Sequence, residues 1–406
     1  MRPLEASDHV LVVGGGLAGW RFIEECRRLG FTGRITLVCA EHHPPYDRPP
    51  LSKQVLSGKW DLDEIVLATP ERLAAASVEV LLGDAAVSLD GSSRTVTLAS
   101  GRKLVADRIV IATGTSPRRL PYGEGIVHYL RTIDDVVALK ASVAALPTPA
   151  RVGIIGGGFI GAEVATALHA LGAEVTVLEA ASAPLLSVLG PTIASWLSGL
   201  PGDAGIRLLN NQRITAIERV EGAVEVSRDD DVPLHFDVLV AGIGATPATE
   251  WLASSGLAID NGVVVDASMC ATPVIGAVGD VARFTWESVT GTASERIEHW
   301  QVASDTATRL AQVWCTPDEP VAQLIPYFWS DQYGAKIQVL GRPSPSDDVV
   351  MVRGEPTQSW VALCVRDDVV AAIVTLRQPR ALMRSRSLLT SPQSLAMALD
   401  RAPWAD

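Results

Sequence analysis

The stretch RVGIIGGGFIGAEVATALHALGAEVTVLE, residues 151–179, decides the fold of this chain. It opens with an apolar run, Val152–Ile155, that predicts a buried parallel strand. Glycines with the spacing GxGxxG follow, at Gly156, Gly158 and Gly161. They permit a tight turn, close approach to a pyrophosphate and close helix packing. The stretch therefore predicts a phosphate-binding loop and a helix whose N-terminus faces the phosphates.

The second half of the stretch carries a ribose-binding signal. Helical apolar spacing over Ala162–Leu171 leads to a second predicted strand, Val175–Leu178. Glu179 stands at the end of that strand, 18 residues after Gly161, where a carboxylate can accept from both ribose hydroxyls. No Arg or Lys follows before Arg207, so the sequence favours NADH over NADPH.

The same plan stands at the start of the chain. Its parts are the strand Val10–Val13, the glycines Gly14, Gly16 and Gly19, a helix ending at Leu29, the strand Ile35–Val38 and Glu41. Two such units predict an α/β fold that binds two dinucleotides.

The composition is that of a folded protein with more than one domain. The chain has 406 residues, 48% hydrophobic and 20% charged, which is long for a single core. The formal net charge of -12 argues against nucleic acid as a partner. The five cysteines show no CxxC and no metal-ligand spacing, so we expect isolated buried thiols and no metal site.

We expect no signal peptide at the start of this sequence. The N-terminal residues MRPLEASD include acids and lead directly into the first phosphate loop, unlike a signal peptide. No uninterrupted apolar run reaches the roughly 18 residues that a membrane-spanning helix needs. We therefore expect a cytoplasmic protein with no membrane partner.

Shorter elements are predicted around the two units. The proline-rich segment Pro44–Lys53, PPYDRPPLSK, presents Arg48 and Lys53 from a stiff backbone. Another strand ends at Asp280, an acid that can reach a polyol chain or cap a helix. Further predicted strands are Glu79–Val87, Thr95–Leu98, Arg108–Thr115, Ile206–Leu209 and Val224–Val226, and further helices are Asp134–Leu146, Ile193–Leu200 and Glu298–Val313. Beyond Pro320 an antiparallel meander is predicted from the strands Ile337–Leu340, Val349–Val352, Trp360–Val365 and Val369–Leu376.

Several motifs occur in the order found in one known family: GGGLAG, PPYDRPPLSK, IVIATG, GGGFIGAE, AGIGATP, AVGDVA and YFWSDQY. In these motifs the chain resembles the FAD-dependent, NADH-utilising ferredoxin reductases of bacterial oxygenase systems, within the glutathione-reductase-like flavoproteins. The resemblance implies two Rossmann-like dinucleotide-binding domains and a C-terminal α+β domain with an antiparallel sheet. The implied division is residues 1–116 and 246–322 for FAD, 117–245 for NADH and 323–406 for the C-terminal domain.

The resemblance also implies the cofactor contacts. The FAD pyrophosphate should lie along Gly14, Gly16, Ala18 and Gly19, the adenosine ribose on Glu41, and the ribityl chain or pyrophosphate on Asp280. Further implied flavin contacts are Arg48, Lys53, the Val87 backbone, Thr113, Arg131 and Trp300. Implied NADH contacts are Gly156, Gly158, Ile160, Gly161, Glu163, Glu179 and Gly244.

Lys53 and Glu163 resemble a charged pair near the reactive edge of the flavin in this family. Our hypothesis is that the cation stabilises negative charge on reduced flavin and that the carboxylate orients the nicotinamide amide. The alternative is that either residue is an ordinary surface charge.

The implied reaction is hydride transfer from NADH to FAD, followed by single-electron transfer to a [2Fe-2S] or similar ferredoxin. That ferredoxin would serve an oxygenase, either a haem monooxygenase or a Rieske-type enzyme. The sequence shows no cysteine pair, and none of its cysteines lies in PPYDRPPLSK. Electrons are therefore expected to leave the flavin directly for an external acceptor.

A basic segment near the C-terminus is a candidate docking surface. No Asp or Glu occurs between Val369 and Leu399, where the arginines Arg377, Arg380, Arg384 and Arg386 stand close together. Such a patch would attract an acidic ferredoxin, although a solvated basic helix face is the alternative. Trp329 either approaches the flavin or lies in a domain core.

Two other functions remain open from the sequence. One is an NADH-dependent flavoenzyme that reduces a quinone or another small acceptor. The other is a redox-sensing interaction protein resembling apoptosis-inducing factor, in which the cofactors govern assembly rather than turnover.

Overall fold

The computed structural model describes residues 2–229 and 231–405. The strands are β1 (His9–Val13), β2 (Arg34–Val38), β3 (Val78–Leu81), β4 (Ala86–Asp90), β5 (Thr95–Leu98), β6 (Lys103–Val105), β7 (Arg108–Ile111), β8 (Thr115–Pro117), β9 (Val127–Tyr129), β10 (Arg151–Ile155), β11 (Glu174–Leu178), β12 (Arg207–Leu209), β13 (Ile214–Val220), β14 (Ala223–Arg228), β15 (Asp231–Phe236), β16 (Val238–Ala241), β17 (Ala245–Pro247), β18 (Val263–Val265), β19 (Cys270–Thr272), β20 (Ile275–Ala277), β21 (Ala282–Ser288), β22 (Gly291–Glu295), β23 (Tyr327–Gln332), β24 (Ala335–Gly341), β25 (Asp348–Glu355), β26 (Ser359–Arg366) and β27 (Val369–Leu376). The helices are α1 (Leu17–Arg28), α2 (Pro70–Ala76), α3 (Ile133–Ala144), α4 (Phe159–Ala170), α5 (Leu186–Leu197), α6 (Leu200–Asp203), α7 (Trp300–Cys315), α8 (Pro379–Arg384) and α9 (Leu395–Arg401).

The chain folds into two compact units that interleave along the sequence. Unit 1 consists of Met1–Asp47, Ile65–Ser116 and Thr246–Pro326. Unit 2 consists of Arg48–Glu64, Pro117–Ala245 and Tyr327–Asp406.

Unit 1 is built on a six-stranded sheet in the order β19-β20-β7-β1-β2-β3. All neighbours pair in parallel except β19 with β20. The central strand β1 is apolar because both of its faces are covered, and Val10–Val13 are buried. The carboxyl ends of the parallel strands therefore share one edge of the sheet, the usual position of a nucleotide in this architecture.

Helices α1 and α7 pack against each other in unit 1. The rings of Phe22 and Trp314 meet edge to face with centroids 5.7 Å apart, and both side chains are fully buried. Two three-stranded sheets complete the unit, in the orders β4-β5-β6 and β18-β21-β22.

Unit 2 repeats the parallel plan in its first half. A five-stranded sheet has the order β12-β11-β10-β16-β9, with all neighbours parallel, and α4 connects β10 to β11. Between β12 and β16 the chain forms a separate antiparallel sheet, β13-β14-β15.

The second half of unit 2 is an antiparallel sheet in the order β23-β24-β27-β26-β25. In β23 the side chains of Phe328, Ser330 and Gln332 are buried, whereas those between them are half-buried, as alternation along a strand requires. The Phe328 ring packs edge to face on Phe159 of α4, with centroids 5.0 Å apart. This contact joins the C-terminal sheet to the helix that follows the second phosphate loop.

The predicted fold class is confirmed: the structure contains two Rossmann-like sheets, one mainly and one wholly parallel, and a C-terminal antiparallel sheet. Among the residues that the structure describes, no helix combines the length and apolar character needed to cross a bilayer.

Three predicted elements are wrong in detail. The expected strand Glu79–Val87 is two strands, β3 and β4, because the intervening turn bonds elsewhere: Gly83 N–H donates to the Glu41 carbonyl at 2.9 Å. The expected strand Arg108–Thr115 is likewise divided into β7 and β8. The expected helix Ile193–Leu200 instead runs over Leu186–Leu197, with an internal kink at Gly190 just before Pro191.

The prediction of a C-terminal meander is also incomplete. The sheet has a further strand, β23, which forms a hairpin with β24, and β24 then pairs with β27 rather than β25. Its order is therefore not that of a simple meander.

Candidate functional site

The first phosphate loop, in unit 1, has the geometry that its glycines predict. A Cβ at Gly14, whose φ is +121°, would lie 2.2 Å from the Ala112 carbonyl oxygen, and a Cβ at Gly19 would lie 2.2 Å from the Gly14 carbonyl oxygen. A Cβ at Gly16 would meet no atom within 4 Å. Gly14 and Gly19 are thus required by the protein's own packing, whereas Gly16 leaves open space at the start of α1, where a pyrophosphate would approach.

The turn that carries Asp280 lies against this loop. A Cβ at Gly279 would stand 2.8 Å from the Ala18 Cβ, so the turn and the first turn of α1 are in contact. Two side chains hold the turn: Gly279 N–H donates to Thr306 Oγ1 at 3.0 Å, and Arg296 donates to the Asp280 carbonyl at 3.1 Å. The Arg296 side chain is only 8% exposed.

Other expected flavin contacts also lie in unit 1. Glu41 follows β2, and the Tyr46 hydroxyl donates to its carboxylate at 2.6 Å, which fixes the position of that carboxylate. Thr113 follows β7 and donates to the Ala248 carbonyl at 2.9 Å. Trp300 begins α7, and its indole N–H donates to Asp47 at 2.7 Å. The backbone of Val87 belongs to β4, outside the six-stranded sheet.

Unit 2 carries the remaining expected flavin contacts. Arg48 donates to the Arg131 carbonyl at 2.8 Å, so the structure brings these two residues together. Arg131 itself precedes α3, where Asp135 accepts from the backbone N–H groups of Arg131 and Thr132.

The second phosphate loop, in unit 2, repeats the geometry of the first. A Cβ at Gly161 would lie 2.0 Å from the Gly156 carbonyl oxygen, and one at Gly156 would lie 2.5 Å from the Gly242 carbonyl oxygen. A Cβ at Gly158 would meet only the Gly242 oxygen, at 3.9 Å, and one at Gly244 would meet nothing within 4 Å. The open position at Gly158 again lies at a helix N-terminus, that of α4.

Two further residues flank this loop. Glu179 accepts from Gly157 N–H at 2.7 Å and from Ala181 N–H at 2.8 Å, which holds its carboxylate beside the loop. Ile160, in the first turn of α4, is 47% exposed.

Glu163 is the centre of a buried polar cluster in unit 2. Its side chain is 4% exposed, yet it bears a carboxylate that would be costly to bury without partners. The ammonium of Lys53 donates to Oε2 at 2.8 Å, Ser52 Oγ donates to Oε2 at 2.6 Å, and Ser330 Oγ donates to Oε1 at 2.7 Å. The Lys53 side chain is 13% exposed. Neither charge is therefore an ordinary surface charge.

Two properties make the loops suitable for dinucleotides: the open space at the second glycine and the helix N-terminus that this glycine begins. Gly16 and Gly158 are the N-cap residues of α1 and α4, and glycine has no side chain to cap the helix. The first backbone N–H groups of each helix can therefore bind an anion. In unit 1 the Asp280 turn lies against the first loop, and in unit 2 the Glu179 carboxylate lies beside the second loop.

All five cysteines are free thiols, but Cys26, near the end of α1, and Cys315, at the end of α7, are close enough to influence each other. Burial raises the pKa of Cys26, and the neighbouring Cys26 thiol lowers the pKa of Cys315. The sequence could not reveal this pair, because helix packing creates it. Cys26 lies ten residues beyond Gly16, about 15 Å along the helix, so the pair does not adjoin the phosphate loop.

Two other thiols are inert by burial. Burial raises the pKa of Cys39 and of Cys364 to about 12, far from thiolate formation at neutral pH.

The four arginines of the predicted docking surface are all exposed. Arg380 and Arg384 stand one turn apart on α8, with exposed Met383 between them. Arg377 donates to the Gln358 carbonyl at 2.7 Å and Arg384 to the Ala405 carbonyl at 3.1 Å. Trp329, in β23, stacks on Tyr327 with centroids 5.8 Å apart and is half-buried.

Ser52, Ser330, Arg296 and Thr306 are the residues that the sequence analysis missed. Ser52 and Ser330 lie inside motifs already quoted, PPLSK and FWSDQY, and the alternation of FWSDQ places Ser330 on the same face as Phe328. Arg296 and Thr306 gave no local signal.

Comparisons with known proteins agree with this geometry. Residues 8–307 match the family model of the pyridine nucleotide-disulphide oxidoreductases, and residues 327–403 match a reductase C-terminal domain. The chain is 33% identical to putidaredoxin reductase of Pseudomonas putida over 95% of this chain and 93% of that protein. It is 35% identical to the ferredoxin–NAD(+) reductase subunit of the benzene 1,2-dioxygenase system of Pseudomonas putida, over 92% of this chain and 90% of that one. The reductase in a covalent putidaredoxin reductase–putidaredoxin complex superimposes with a TM-score of 0.88 at 32% identity, over 95% of this chain and 93% of that one.

Alanine should have different effects at a glycine with open space around it and at a glycine packed against a carbonyl oxygen. Gly158→Ala adds a methyl group to open space, so it should leave the unfolding midpoint within about 2 °C of the native value. It should weaken NADH binding by about tenfold or more, because the methyl occupies the approach to the pyrophosphate. Gly161→Ala, whose methyl meets the Gly156 carbonyl, should lower both the midpoint and the affinity.

Thermal unfolding and NADH titration of the two variants make the measurement. A Gly158→Ala protein that binds NADH as tightly as the native protein would contradict the assignment of the second loop.

Arg296 is expected to support FAD binding through the Asp280 turn. Arg296→Met removes the donor to the Asp280 carbonyl and should raise the dissociation constant for FAD by about tenfold, equivalent to one charged hydrogen bond. Arg283→Met is the matched control, because Arg283 pairs with Asp260 at the surface of the same unit. Fluorescence titration of each apoprotein with FAD measures the two dissociation constants. An equal loss of FAD affinity in both variants would show that Arg296 has no special role.

Proposed function

The chain belongs to the FAD-dependent, putidaredoxin reductase-like ferredoxin reductases, within the pyridine nucleotide-disulphide oxidoreductases, and we propose that it carries electrons from NADH through FAD to a ferredoxin. When bound, FAD takes up two electrons as a hydride and releases them singly. The ferredoxin, a [2Fe-2S] or similar iron-sulfur carrier, in turn serves a haem monooxygenase or a Rieske-type oxygenase.

The observation that carries this proposal is the pair of phosphate loops together with the buried Lys53–Glu163 pair. Each loop keeps open space at its second glycine, Gly16 in one and Gly158 in the other. Cys39 lies against the first loop, where a Cβ at Gly15 would stand 2.2 Å from its Sγ, and it is a buried thiol of raised pKa with no disulfide partner among the described residues. The residues thus support electron exit to an external protein acceptor rather than to a dithiol.

In this proposal the residues of unit 1 hold the pyrophosphate, the ribose and the ribityl chain. Gly14, Gly16, Ala18 and Gly19 bind the pyrophosphate, and Glu41, oriented by Tyr46, accepts from the adenosine ribose. Asp280, held by Arg296, accepts from the ribityl chain or adjoins the pyrophosphate. The remaining proposed flavin contacts are Arg48, Lys53, the Val87 backbone, Thr113, Arg131 and Trp300.

The NADH contacts are proposed in unit 2. Gly156, Gly158, Ile160, Gly161 and Gly244 form the surface for the pyrophosphate and its neighbours. Glu179 already accepts from Gly157 N–H, and its position beside the loop suits the ribose hydroxyls. A 2'-phosphate would meet this carboxylate, which supports the preference for NADH.

Lys53 and Glu163 are proposed as the charged pair at the reacting end of the two cofactors. Lys53 supplies positive charge, and its bond to Glu163 fixes the direction of its ammonium. Glu163 accepts from the nicotinamide amide and so orients the ring for transfer.

Arg377, Arg380, Arg384 and Arg386 are proposed to attract the ferredoxin. Their exposed guanidinium groups contrast with the net charge of -12 of the whole chain. Such a surface acts mainly on the association rate. We further propose the four-segment domain division given above and a cytoplasmic location.

The experiment that tests the function is anaerobic stopped-flow absorbance of the holoenzyme, mixed first with NADH and then with an oxidised [2Fe-2S] ferredoxin. The flavin absorbance should disappear on the first mixing and return on the second. Return with a quinone but not with a ferredoxin would favour the small-acceptor enzyme. A reduced flavin that no acceptor reoxidises would favour the redox-sensing protein.

Lys53→Met should slow flavin reduction by NADH by about 100-fold, the usual scale for losing one stabilising electrostatic contact. Lys59→Met is the matched control, because Lys59 lies in the same segment and is exposed. Single-turnover bleaching of the flavin measures both rates. Equal rates in the two variants would contradict the role given to Lys53.

Neutralising the docking arginines should slow ferredoxin reduction without changing reduction by NADH. In the triple variant Arg380→Gln, Arg384→Gln and Arg386→Gln, the second-order rate constant should fall by about tenfold at low ionic strength and its salt dependence should flatten. Arg207→Gln, at another exposed arginine, should stay within about twofold of the native protein. A triple variant with the native salt dependence would show that the ferredoxin docks elsewhere.

A further inference from the structure

We propose that Ser330 is a positioning residue for nicotinamide binding: with Ser52 it fixes the Glu163 carboxylate so that one oxygen lone pair is directed at the nicotinamide amide. The C-terminal domain would thereby take part in recognising the coenzyme, although all the expected coenzyme contacts lie outside it. This inference rests on the proposed role of Glu163 toward NADH.

The two serines approach opposite oxygens of the same carboxylate. Ser330 Oγ donates to Oε1 at 2.7 Å and Ser52 Oγ donates to Oε2 at 2.6 Å. Both serines are buried, with exposed fractions of 0% and 3%. Neither hydroxyl can therefore exchange its bond for one to bulk water, and the carboxylate plane is fixed from both ends.

The Glu163 carboxylate keeps one acceptor position for a ligand. An ionised carboxylate has about four acceptor positions. Ser52 and Lys53 take both positions on Oε2, and Ser330 takes one on Oε1. One position on Oε1 remains, and a primary amide N–H is the type of donor that fits it.

The strand that carries Ser330 is itself held against α4. Phe328 packs on Phe159 with ring centroids 5.0 Å apart, and Tyr333 N–H donates to Thr166 Oγ1 at 2.8 Å. Ser330 lies between these two contacts. The backbone that carries Ser330 is therefore fixed on both sides, and its short buried side chain holds the hydroxyl in place. A positioning group requires such support.

Loss of the Ser330 hydroxyl would leave Oε1 with two open positions. The carboxylate could then rotate about its hydrogen bonds on Oε2, and the lone pair for the amide would lose its direction. The adenosine half of the coenzyme, bound at Glu179 and the phosphate loop, should not respond.

The test compares two ligands on the holoenzyme by isothermal titration calorimetry: NAD+, which has the nicotinamide, and ADP-ribose, which lacks it. Ser330→Ala should raise the dissociation constant for NAD+ by about tenfold, the equivalent of one charge-assisted hydrogen bond. The dissociation constant for ADP-ribose should stay within about twofold. Ser52→Ala, which acts on the other oxygen, should give the same pattern and serves if Ser330→Ala fails to fold.

Thr166→Val is the matched control. It removes the neighbouring hydrogen bond between the same strand and helix without touching Glu163. It should leave both dissociation constants unchanged, so a selective loss of NAD+ affinity in this control would show that strand packing alone is responsible and would overturn the inference.

The remaining outcomes also decide the matter. Equal weakening of NAD+ and ADP-ribose, or no weakening, in both serine variants would overturn the role of Ser330 and leave the proposed function intact. A native holoenzyme that binds neither ligand would overturn the proposed function, and the inference with it.

Discussion

The carboxylate of Glu163 is the constraint on which unit 2 depends. A buried carboxylate is tolerated only when charge and hydrogen bonds compensate its lost hydration. Here the compensation comes from three regions far apart in sequence: the proline-rich segment supplies Ser52 and Lys53, α4 carries the acid, and the C-terminal sheet supplies Ser330. One ionised group therefore requires all three regions to be in register, and its position at the start of α4 ties that register to the second phosphate loop.

The two phosphate loops show the same physical solution reached twice. In each loop the outer glycines are required because a methyl group would strike a carbonyl oxygen of the protein, and the middle glycine leaves space for a ligand. The aligned backbone N–H groups of α1 and α4 then make both helix ends suitable for pyrophosphates. FAD and NADH are the cofactors that this arrangement and the family indicate. Of the thiols, Cys26 and Cys315 lie at the far ends of their helices, and Cys39, which lies against the first loop, is a buried thiol of raised pKa.

Features encoded locally could be predicted from the sequence, and features made by packing could not. The glycine spacing, the apolar strands and the terminal acids lie within about 30 residues of each other, so the two Rossmann-like units followed from pattern alone. The pairing of Lys53 with Glu163 came from a family resemblance and is separated by 110 residues. The Ser330–Glu163 bond, the Arg296 brace and the Cys26–Cys315 contact depend on how distant elements meet, and no periodicity in the sequence carries that information. The error at Glu79–Val87 has the same origin, because Gly83 is turned by a bond to Glu41.

The role of Glu163 is tested most directly by a crystal structure of the holoenzyme with NAD+ bound. The nicotinamide amide nitrogen should lie within about 3.2 Å of Glu163 Oε1, with the bonds from Ser52, Lys53 and Ser330 retained. An amide bound by other groups, with Glu163 beyond hydrogen-bonding distance, would contradict the central role given to this carboxylate.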